Sequence, residues 1–442
     1  MKKLIMLLCC SCFSSMAFAS GCATSVPADA ASEDTGIKLE GFFGFQSSVY
    51  RNQEKLSGTS KNITDNNKNP AFYTEAAFMA TVKQELNDIT AGAKIVLLTT
   101  TKPKLSAGYN GSHIFIETEY GKVELGSPHD AASNMSVTPG LIAAAVAGFG
   151  WSRFAVLDDD NMKYQDLKPD FDTTPGTFHI SSSCNSFDDI SNKTEASRKI
   201  SYYTPEMQGF QFGISYIPDS ANTGGNRGLK NLDDKGFSKL SSGINKVTLP
   251  GINGAKGNQV IINQNVKDAV SAGISYKYEI LEDVSVKVAV TGEYAKPANK
   301  IIVLDPDNNV LSRNKLSNLT AYNLGAVFTY GNISCAASYG NLGKSLTSNI
   351  YHKVGRNTQY YNGAVAYGQG PMKTSVSYFR SLKYKNTVDT VSLGTQYLVT
   401  PGLLPYAEIS YFQAKGKPVY CVEAPKKKTR GTVALIGARL KF

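Results

Sequence analysis

The chain has 442 residues, a formal net charge of +10, a mean hydropathy of −0.21 and 42% hydrophobic residues. This length excludes a small disulfide-stapled protein, and the 24 Tyr and 20 Phe exclude a disordered chain. Beyond the N-terminus, no apolar run approaches the roughly 20 residues that a membrane helix needs. Two classes remain: a soluble protein of roughly one to three domains, or a membrane β-barrel, whose strands give only a weak hydropathy signal.

The N-terminus predicts export across the inner membrane. A basic start, an apolar core at 4–13 and an Ala-x-Ala site ending at Ala19 are typical of a secretory signal peptide over residues 1–19. Cys22 offers an alternative, because a lipidated N-terminus would begin there. The small, polar residues 20–36 are predicted to form a flexible lead-in.

From Ile37 to the C-terminus, apolar and polar residues alternate in many short segments. In residues 284–294, for example, four valines and Tyr294 fall on one face, and polar or charged side chains fall on the other. Such alternation predicts strands with one apolar and one polar face. Sixteen segments of this kind begin near Ile37, Pro70, Asp88, Ser112, Lys122, Ser197, Gly209, Asp268, Val284, Leu319, Asn332, Asn357, Met372, Thr387, Leu403 and Thr429.

The connections between these segments alternate in length. Short turns rich in Gly, Pro, Asn or Asp are predicted at 87–88, 120–121, 204–208, 281–283, 330–331, 368–371 and 400–402. Long connections are predicted at 51–69, 101–111, 127–196, 218–267, 296–318, 341–356 and 415–428, and 382–386 is a short exception. Outer-membrane barrels have short turns at one end and long loops at the other. We therefore predict an all-β fold over 37–442, a 16-stranded antiparallel transmembrane β-barrel with short periplasmic turns and long outer loops.

A soluble β-sandwich is the alternative, because its strands alternate as well. Two features argue against it. Tyr322 and Tyr330 share a face and lie eight residues apart, which is about 26 Å along a strand and matches the apolar band between two aromatic girdles. A sixteen-stranded sandwich would also divide into two domains, and the sequence shows no linker between domains.

The last strand ends with Phe442 on its apolar face, which fits a recognition signal for the barrel-assembly machinery. Together with Phe442, three further segments resemble the trimeric general porins of Gram-negative bacteria, most closely the alphaproteobacterial branch. These segments are Ile37–Gln46, Lys122–Gly126 with the following Ala131–Met135, and the hairpin Tyr202–Pro218, which is the most specific match.

The resemblance covers about residues 37–442 and implies a sixteen-stranded barrel whose third loop, 127–196, folds into the lumen. It further implies a homotrimer in the outer membrane of a Gram-negative bacterium that passes small hydrophilic solutes and ions by passive diffusion. The expected partners are outer-membrane lipid, lipopolysaccharide and the barrel-assembly machinery, with no nucleic acid. The segments 127–196 and 218–267 are longer than this family's pattern, and this leaves pore width and selectivity open.

The lumen of a sixteen-stranded barrel is too wide for side chains to fill, so it holds water. Charges that face it set the selectivity, although each one could also be an ordinary solvated side chain. Lys94 is the strongest single candidate because it lies in the middle of a strand. The predicted pore-lining residues are Lys38, Glu40, Glu75, Lys83, Lys94, Glu117, Lys122, Glu124, Lys277, Lys287, Glu293, Glu408 and Arg439.

The third loop supplies the predicted constriction. Its small, apolar segment 140–151 is expected to pack on the barrel wall as a short helix or hairpin. Its acidic candidates are Asp130, Asp158, Asp159 and Asp160, which would set a transverse field against basic wall residues. The alternative is an acidic surface loop that binds divalent cations together with lipopolysaccharide. The basic run 426–428 indicates either a mild anion preference or contact with lipopolysaccharide phosphates.

An enzyme is not expected, because the sequence has no phosphate-binding loop and no nucleophile motif of the G-x-S-x-G kind. The four His are scattered without metal-ligand spacing, so neither a metal nor another cofactor is predicted. Whether Cys184 and Cys421 pair stays open. Two further functions remain as alternatives: a channel with a solute-specific site, and an adhesive or antigenic barrel that uses its long outer loops.

Overall fold

The computed structural model describes residues 36–52, 70–86, 88–100, 106–148, 150–154, 197–220, 244–248, 259–263, 265–281, 283–298, 300–305, 307–347, 357–383, 386–416 and 427–442. Several predictions lie outside these residues: the signal peptide, the lipidation of Cys22, the acidic run Asp158–Asp160 and the pairing of Cys184 with Cys421. No helix in the described part of the chain has the length and apolar character needed to cross a membrane.

The described residues form twenty strands, numbered along the chain. They are β1 (Ile37–Asn52), β2 (Ala71–Leu86), β3 (Ile89–Thr100), β4 (Ser106–Thr118), β5 (Gly121–Gly126), β6 (Lys199–Tyr203), β7 (Phe210–Asp219), β8 (Ile244–Thr248), β9 (Gln259–Asn263), β10 (Val266–Leu281), β11 (Val284–Pro297), β12 (Ile301–Leu304), β13 (Val310–Asn314), β14 (Leu319–Tyr330), β15 (Ile333–Gly343), β16 (Thr358–Gln369), β17 (Met372–Lys383), β18 (Asn386–Tyr397), β19 (Leu403–Gly416) and β20 (Lys427–Lys441).

Sixteen of these strands form one closed antiparallel barrel, in the order β1–β7, β10, β11 and β14–β20. The barrel closes because β1 pairs with β2 on one side and with β20 on the other. The predicted 16-stranded antiparallel barrel is therefore confirmed. Both termini of the barrel lie at the end that carries the short turns.

The alternating apolar and polar residues of each strand lie on opposite faces of the barrel wall. On β11, Val290 and Tyr294 are exposed on the outer surface, whereas Thr291 and Glu293 are buried on the inner side. The same pattern recurs around the barrel, with exposed Val, Ile, Leu, Phe and Tyr facing outward. An outward apolar band with a polar interior is the arrangement that lipid requires of a spanning barrel.

Most strands begin within a few residues of their predicted starts, but β4 begins at Ser106 rather than near Ser112. Here the pairing of β3 with β4 shifts register between Val96 and Leu97, and Gly111 opposite Val96 has a φ of 144°. Such an irregularity breaks the period-two pattern, because one strand gains an extra residue at that point. The period-two pattern therefore does not predict the first part of β4.

Two long connections that were predicted only as loops contain further strands. β8 and β9 lie in the connection from β7 to β10, and β12 and β13 lie in the connection from β11 to β14. The four pair as a separate sheet in the order β13-β12-β9-β8. Each has at most five residues, so its alternation spans too few periods to stand out from a loop.

The described part of the third loop folds into the barrel, as predicted. We call its described residues, 127–148 and 150–154, the belt. The belt contains one short helix, α1 (Ala131–Met135), and 3₁₀ turns at Pro139–Leu141 and Gly150–Arg153. From the end of β5, it contacts the inner wall in turn on β6, β7, β10, β11 and then on β14–β20.

Candidate functional site

The belt begins with a helix that is fixed to the wall by hydroxyl groups. The backbone N–H of Ala131 donates to Ser215 Oγ at 2.8 Å, and that of Ala132 donates to Ser271 Oγ at 2.9 Å. Asp130 caps α1 by accepting from the Ser133 N–H, and its Oδ1 also accepts from Ser271 Oγ at 2.6 Å. The first turn of a helix leaves N–H groups without partners. Here the strands β7 and β10 supply acceptors for them.

Glycines in the wall make room for the next part of the belt. A Cβ on Gly213 would lie 2.6 Å from the sulfur of Met135. On β14, a Cβ at Gly325 would overlap the backbone oxygen of Val137. The belt therefore lies directly against the wall backbone at these places, which is possible only where the wall residue has no side chain.

The middle of the belt is held by its own backbone N–H groups. Ala144 N donates to Ser375 Oγ at 2.7 Å, and Ala145 N donates to Gln396 Oε1 at 2.9 Å. The carboxylate of Glu408 accepts from Val146 N at 3.3 Å and Gly148 N at 3.0 Å.

Ala145 and Ala147 both have a φ of 57°, so this stretch cannot continue as a helix and its N–H groups need partners outside the belt. The inner side chains of β17, β18 and β19 are those partners. The hydroxyl of Ser410 also donates to Glu408 Oε1 at 3.1 Å and thereby helps to hold the carboxylate in place.

The far end of the described belt is anchored by the single tryptophan of the chain. Trp151 is completely buried, and its ring stacks on Phe412 with 4.5 Å between centroids. Tyr50 of β1 also stacks with Phe412, at 6.3 Å. Val388 and Val433 belong to the same cluster. An aromatic side chain buried in this way contributes about 3–5 kcal/mol relative to Ala, so Trp151 is a strong anchor.

The inner wall thus has two sectors with different side chains. The belt-facing sector is the inner face of β14–β20, and its inward positions are mostly small and buried. They include Asn323, Gly325, Ser334, Ala336, Ser338, Asn362, Ala364, Ala366, Ser375, Ser377, Ser392 and Ser410. The charged sector is the inner face of β1–β5, and its inward positions carry most of the predicted pore charges.

Within the charged sector, basic side chains lie beside carboxylates and form ion pairs with them. Lys38 pairs with Glu40 at 2.9 Å, and Lys122 pairs with Glu124 at 2.7 Å. His113 Nε2 lies 3.8 Å from Glu124. Lys94 faces the same lumen, directly opposite Thr81 on one side and His113 on the other.

All thirteen predicted pore-lining residues lie on the inner face, as the pairing registers show. Their exposure differs widely. The exposed ones are Lys38, Lys83, Glu117, Lys277 and Lys287; the partly buried ones are Glu40, Lys94 and Lys122; the buried ones are Glu75, Glu124, Glu293, Glu408 and Arg439. A side chain on the inner face can be exposed only where the lumen is open. The exposed residues place this open space beside the charged sector and beside the ends of β10 and β11 that adjoin their connecting turn.

Two of the predicted charges lie under or within the belt. Glu408 holds belt N–H groups, and Asp130 is completely buried as the cap of α1. Their positions support a role in anchoring the belt rather than contact with pore water. The anchoring residues Ser215, Ser271, Ser375 and Gln396 are not among the residues predicted from the sequence. The only signal for them is that inward positions of successive strands are unusually small and hydroxyl-rich.

Comparisons with known proteins agree with this geometry. A family model described as Gram-negative porin matches residues 15–417. Two relatives, from Rickettsia bellii (strain RML369-C) and Rickettsia felis (strain ATCC VR-1525 / URRWXCal2), are 55% and 54% identical to the chain. Each match covers 100% of both chains, and both relatives are described as uncharacterized proteins. The solved structure of an anion-selective porin from Comamonas acidovorans has a TM-score of 0.51 at 12% identity, covering 92% of this chain and 100% of its own.

Proposed function

This chain belongs to the Gram-negative porin family and is an outer-membrane channel for passive solute diffusion, and we propose that ions and small hydrophilic solutes pass between the belt and the charged sector. One observation carries the proposal. Inward charges remain exposed on β1–β5, for example at Lys38, Lys83 and Glu117, whereas inward side chains on β14–β20 are buried where the belt lies on them. Water can therefore reach one side of the lumen.

Charges on this path are proposed to set the ion preference. The pore-lining candidates on β1–β5 include four Lys and four Glu, and two Lys are already paired, with Glu40 and Glu124. Lys94 has no ion pair among the described residues, so its charge is available to passing ions. We propose that Lys94 favours anions, since an unpaired cation in a narrow aqueous passage attracts them.

We propose that the channel is a homotrimer, as porins of this family generally are. Tyrosines mark lipid-facing wall at the membrane interfaces of barrels. Exposed tyrosines occur on β6, β7, β10, β11, β14 and β16–β19, but the described residues of β1–β5 and β20 have none within the strands. The outer face of β20 and β1–β5 is therefore the proposed subunit contact.

Export and assembly complete the proposal. The segment 1–19 would be removed after Ala19, which intact-mass measurement of the mature protein can test. Phe442 is exposed on the outer face, and its backbone pairs with Gly41 through N–O distances of 2.9 and 3.1 Å. This position suits recognition of the last strand by the barrel-assembly machinery. Outer-membrane lipid and lipopolysaccharide would surround the barrel.

Single-channel recording in planar bilayers tests the function. We expect open steps with three equal sub-levels and, under a salt gradient, a reversal potential of the anion-selective sign. A folded, heat-modifiable barrel that gives no conductance would refute the diffusion path. Steps without sub-levels would refute the trimer of open pores, and a cation-selective sign would refute the role of Lys94.

A further inference from the structure

The strands β13, β12, β9 and β8 form a sheet separate from the barrel, which we call the outer sheet. β13 is one edge of this sheet, because among the described residues it pairs only with β12. An edge strand leaves a row of backbone N–H and C=O groups without partners, and these groups can pair with a strand of another chain. We propose that β13 pairs with β13 of a second copy of this protein, and that this contact joins separate trimers.

The edge of β13 is open to another strand. Four of its five residues are exposed, and Val310 and Leu311 keep 42% and 55% of their surface in contact with solvent. Leu311 is the extra residue at a register shift, since Leu304 lies opposite Val310 and Val303 lies opposite Ser312. Such a residue has no partner on the neighbouring strand. Two exposed apolar side chains on an edge strand favour pairing with a further strand.

Charges of opposite sign lie at the two ends of β13. The tip of the hairpin between β12 and β13 carries Asp305 and the exposed Asp307. Asp305 Oδ1 holds this tip by accepting from the N–H groups of Asp307 at 2.9 Å and Asn309 at 2.7 Å. The other end carries the exposed side chains of Arg313 and Lys315. The strand is therefore negative where it begins and positive where it ends.

These charges are available to a second copy. Asp307, Arg313 and Lys315 form no ion pair within the part of the chain that the structure describes. Elsewhere in the long connections a cation is neutralised within the protein, because Lys296 lies 3.5 Å from Asp268. The charges at the two ends of β13 therefore remain to be complemented from outside.

The charge pattern selects one arrangement of the two strands. When Leu311 lies opposite Leu311 of the second copy in an antiparallel pair, Asp307 and Lys315 are equally far from the centre of the pair. Asp307 of each copy then lies beside Lys315 of the other. A parallel pair would instead bring like charges together, which destabilises strand pairing. Because the antiparallel pair has two-fold symmetry, each attractive contact occurs twice.

This contact is distinct from the proposed trimer interface. A two-fold contact cannot occur within a ring of three subunits, so it joins copies from different trimers. β12 and β13 lie in the connection from β11 to β14, whereas the trimer contact is proposed on β20 and β1–β5. Both contacts can therefore form at once. Each trimer would present three β13 edges, so that several weak strand pairs act together.

Disulfide cross-linking of the full-length protein in proteoliposomes tests the contact, in a background whose native cysteines are replaced by Ser. Leu311→Cys places two thiols opposite each other, and opposite residues of an antiparallel pair are about 5 Å apart, within reach of a disulfide. Asn314→Cys is the control, because residue 314 and its counterpart would be roughly 20 Å apart along the pair. We expect Leu311→Cys to form a covalent dimer at least about tenfold faster than Asn314→Cys under mild oxidation.

Charge exchange tests the arrangement of the strands. Asp307→Lys in the Leu311→Cys protein should slow dimer formation about fivefold, because two attractive contacts become repulsive. Adding Lys315→Asp should restore the rate to within about twofold of the Leu311→Cys protein. Asp283→Lys makes the same change of charge in a short turn at the opposite end of the barrel, and it should leave the rate unchanged.

Equal rates for Leu311→Cys and Asn314→Cys would overturn the proposal, as would an unchanged rate in Asp307→Lys. Cross-linking of Leu311→Cys to a different protein in whole cells, without a dimer, would assign the edge to a foreign strand and overturn it as well. If Leu311→Cys gives no heat-modifiable barrel, a mixture of Val310→Cys and Ser312→Cys proteins takes its place, since these positions oppose each other in the same register. Single-channel conductance is measured separately, so a failure of this contact is distinguishable from a failure of the channel function.

Discussion

The charged sector and the belt-facing sector of the inner wall both consist of antiparallel strands, yet one faces the open lumen and the other binds the belt. On β14–β20 most inward side chains are small, and they make hydrogen bonds to the belt or leave space for it. On β1–β5 many inward side chains are charged, and several of these remain exposed to the lumen. The belt-facing sector therefore determines where the belt lies, and the charged sector is expected to determine which ions pass beside it. Substitutions in the two sectors should therefore separate belt position from ion preference.

Gly325→Ala should displace the belt backbone the most, because the new Cβ would overlap the backbone oxygen of Val137. The belt backbone would have to move away from β14, and overpacking of this kind costs about 1–3 kcal/mol. We expect a lower midpoint of thermal unfolding, measured by heat-modifiable migration in gels. Gly363→Ala is the control, since its Cβ would meet only the oxygen of Ala336 at 3.8 Å. Equal midpoints for the two variants would contradict the close packing of belt and wall.

Glu408→Ala should loosen the middle of the belt without removing the barrel. Two buried N–H groups, of Val146 and Gly148, would lose their acceptor, and each unsatisfied donor costs about 1–3 kcal/mol. Trp151 is the only tryptophan and is completely buried, so its fluorescence reports on the belt directly. We expect stronger quenching of Trp151 fluorescence by acrylamide and larger current fluctuations in the open channel.

The matched variant is Glu117→Ala, which removes an exposed inward carboxylate from the charged sector. It should leave the quenching of Trp151 unchanged. If Glu117→Ala increased quenching as much as Glu408→Ala, the belt would not depend on the carboxylate that the structure places beneath it.

Lys94→Gln should have the smallest structural effect and act on selectivity alone. Removing one unpaired charge from an aqueous passage changes the local electrostatic free energy by about 0.5–1 kcal/mol. We expect the ratio of anion to cation permeability to fall about two- to fivefold, and less at high salt because of screening. The measurement is the reversal potential under a salt gradient.

Lys373→Gln is the comparison for Lys94→Gln, because Lys373 also points inward but belongs to the belt-facing sector. It should shift the reversal potential less than Lys94→Gln. A larger shift from Lys373→Gln than from Lys94→Gln would contradict the proposed ion path, because it would place that path along the belt-facing sector.

Much of this architecture was predictable from local patterns. The alternation around Val290 and Thr291 assigns each side chain to the outside or the inside without any knowledge of its neighbours, because the side-chain period of a strand is two. The connection lengths then give the antiparallel order. The short strands β8, β9, β12 and β13 escaped because five residues or fewer are too few for a period. The start of β4 escaped because the irregularity at Gly111 breaks the pattern.

The sequence by itself therefore determined the barrel, its sixteen strands and the inward face of every predicted pore charge. Only the tertiary structure decided which of those charges remain exposed and which lie under the belt. The physical reason is that burial of Glu408 depends on Val146, a residue 262 positions away in the chain. Local periodicity carries no information about a contact of that range, because it arises only when the closed barrel brings β19 and the belt together.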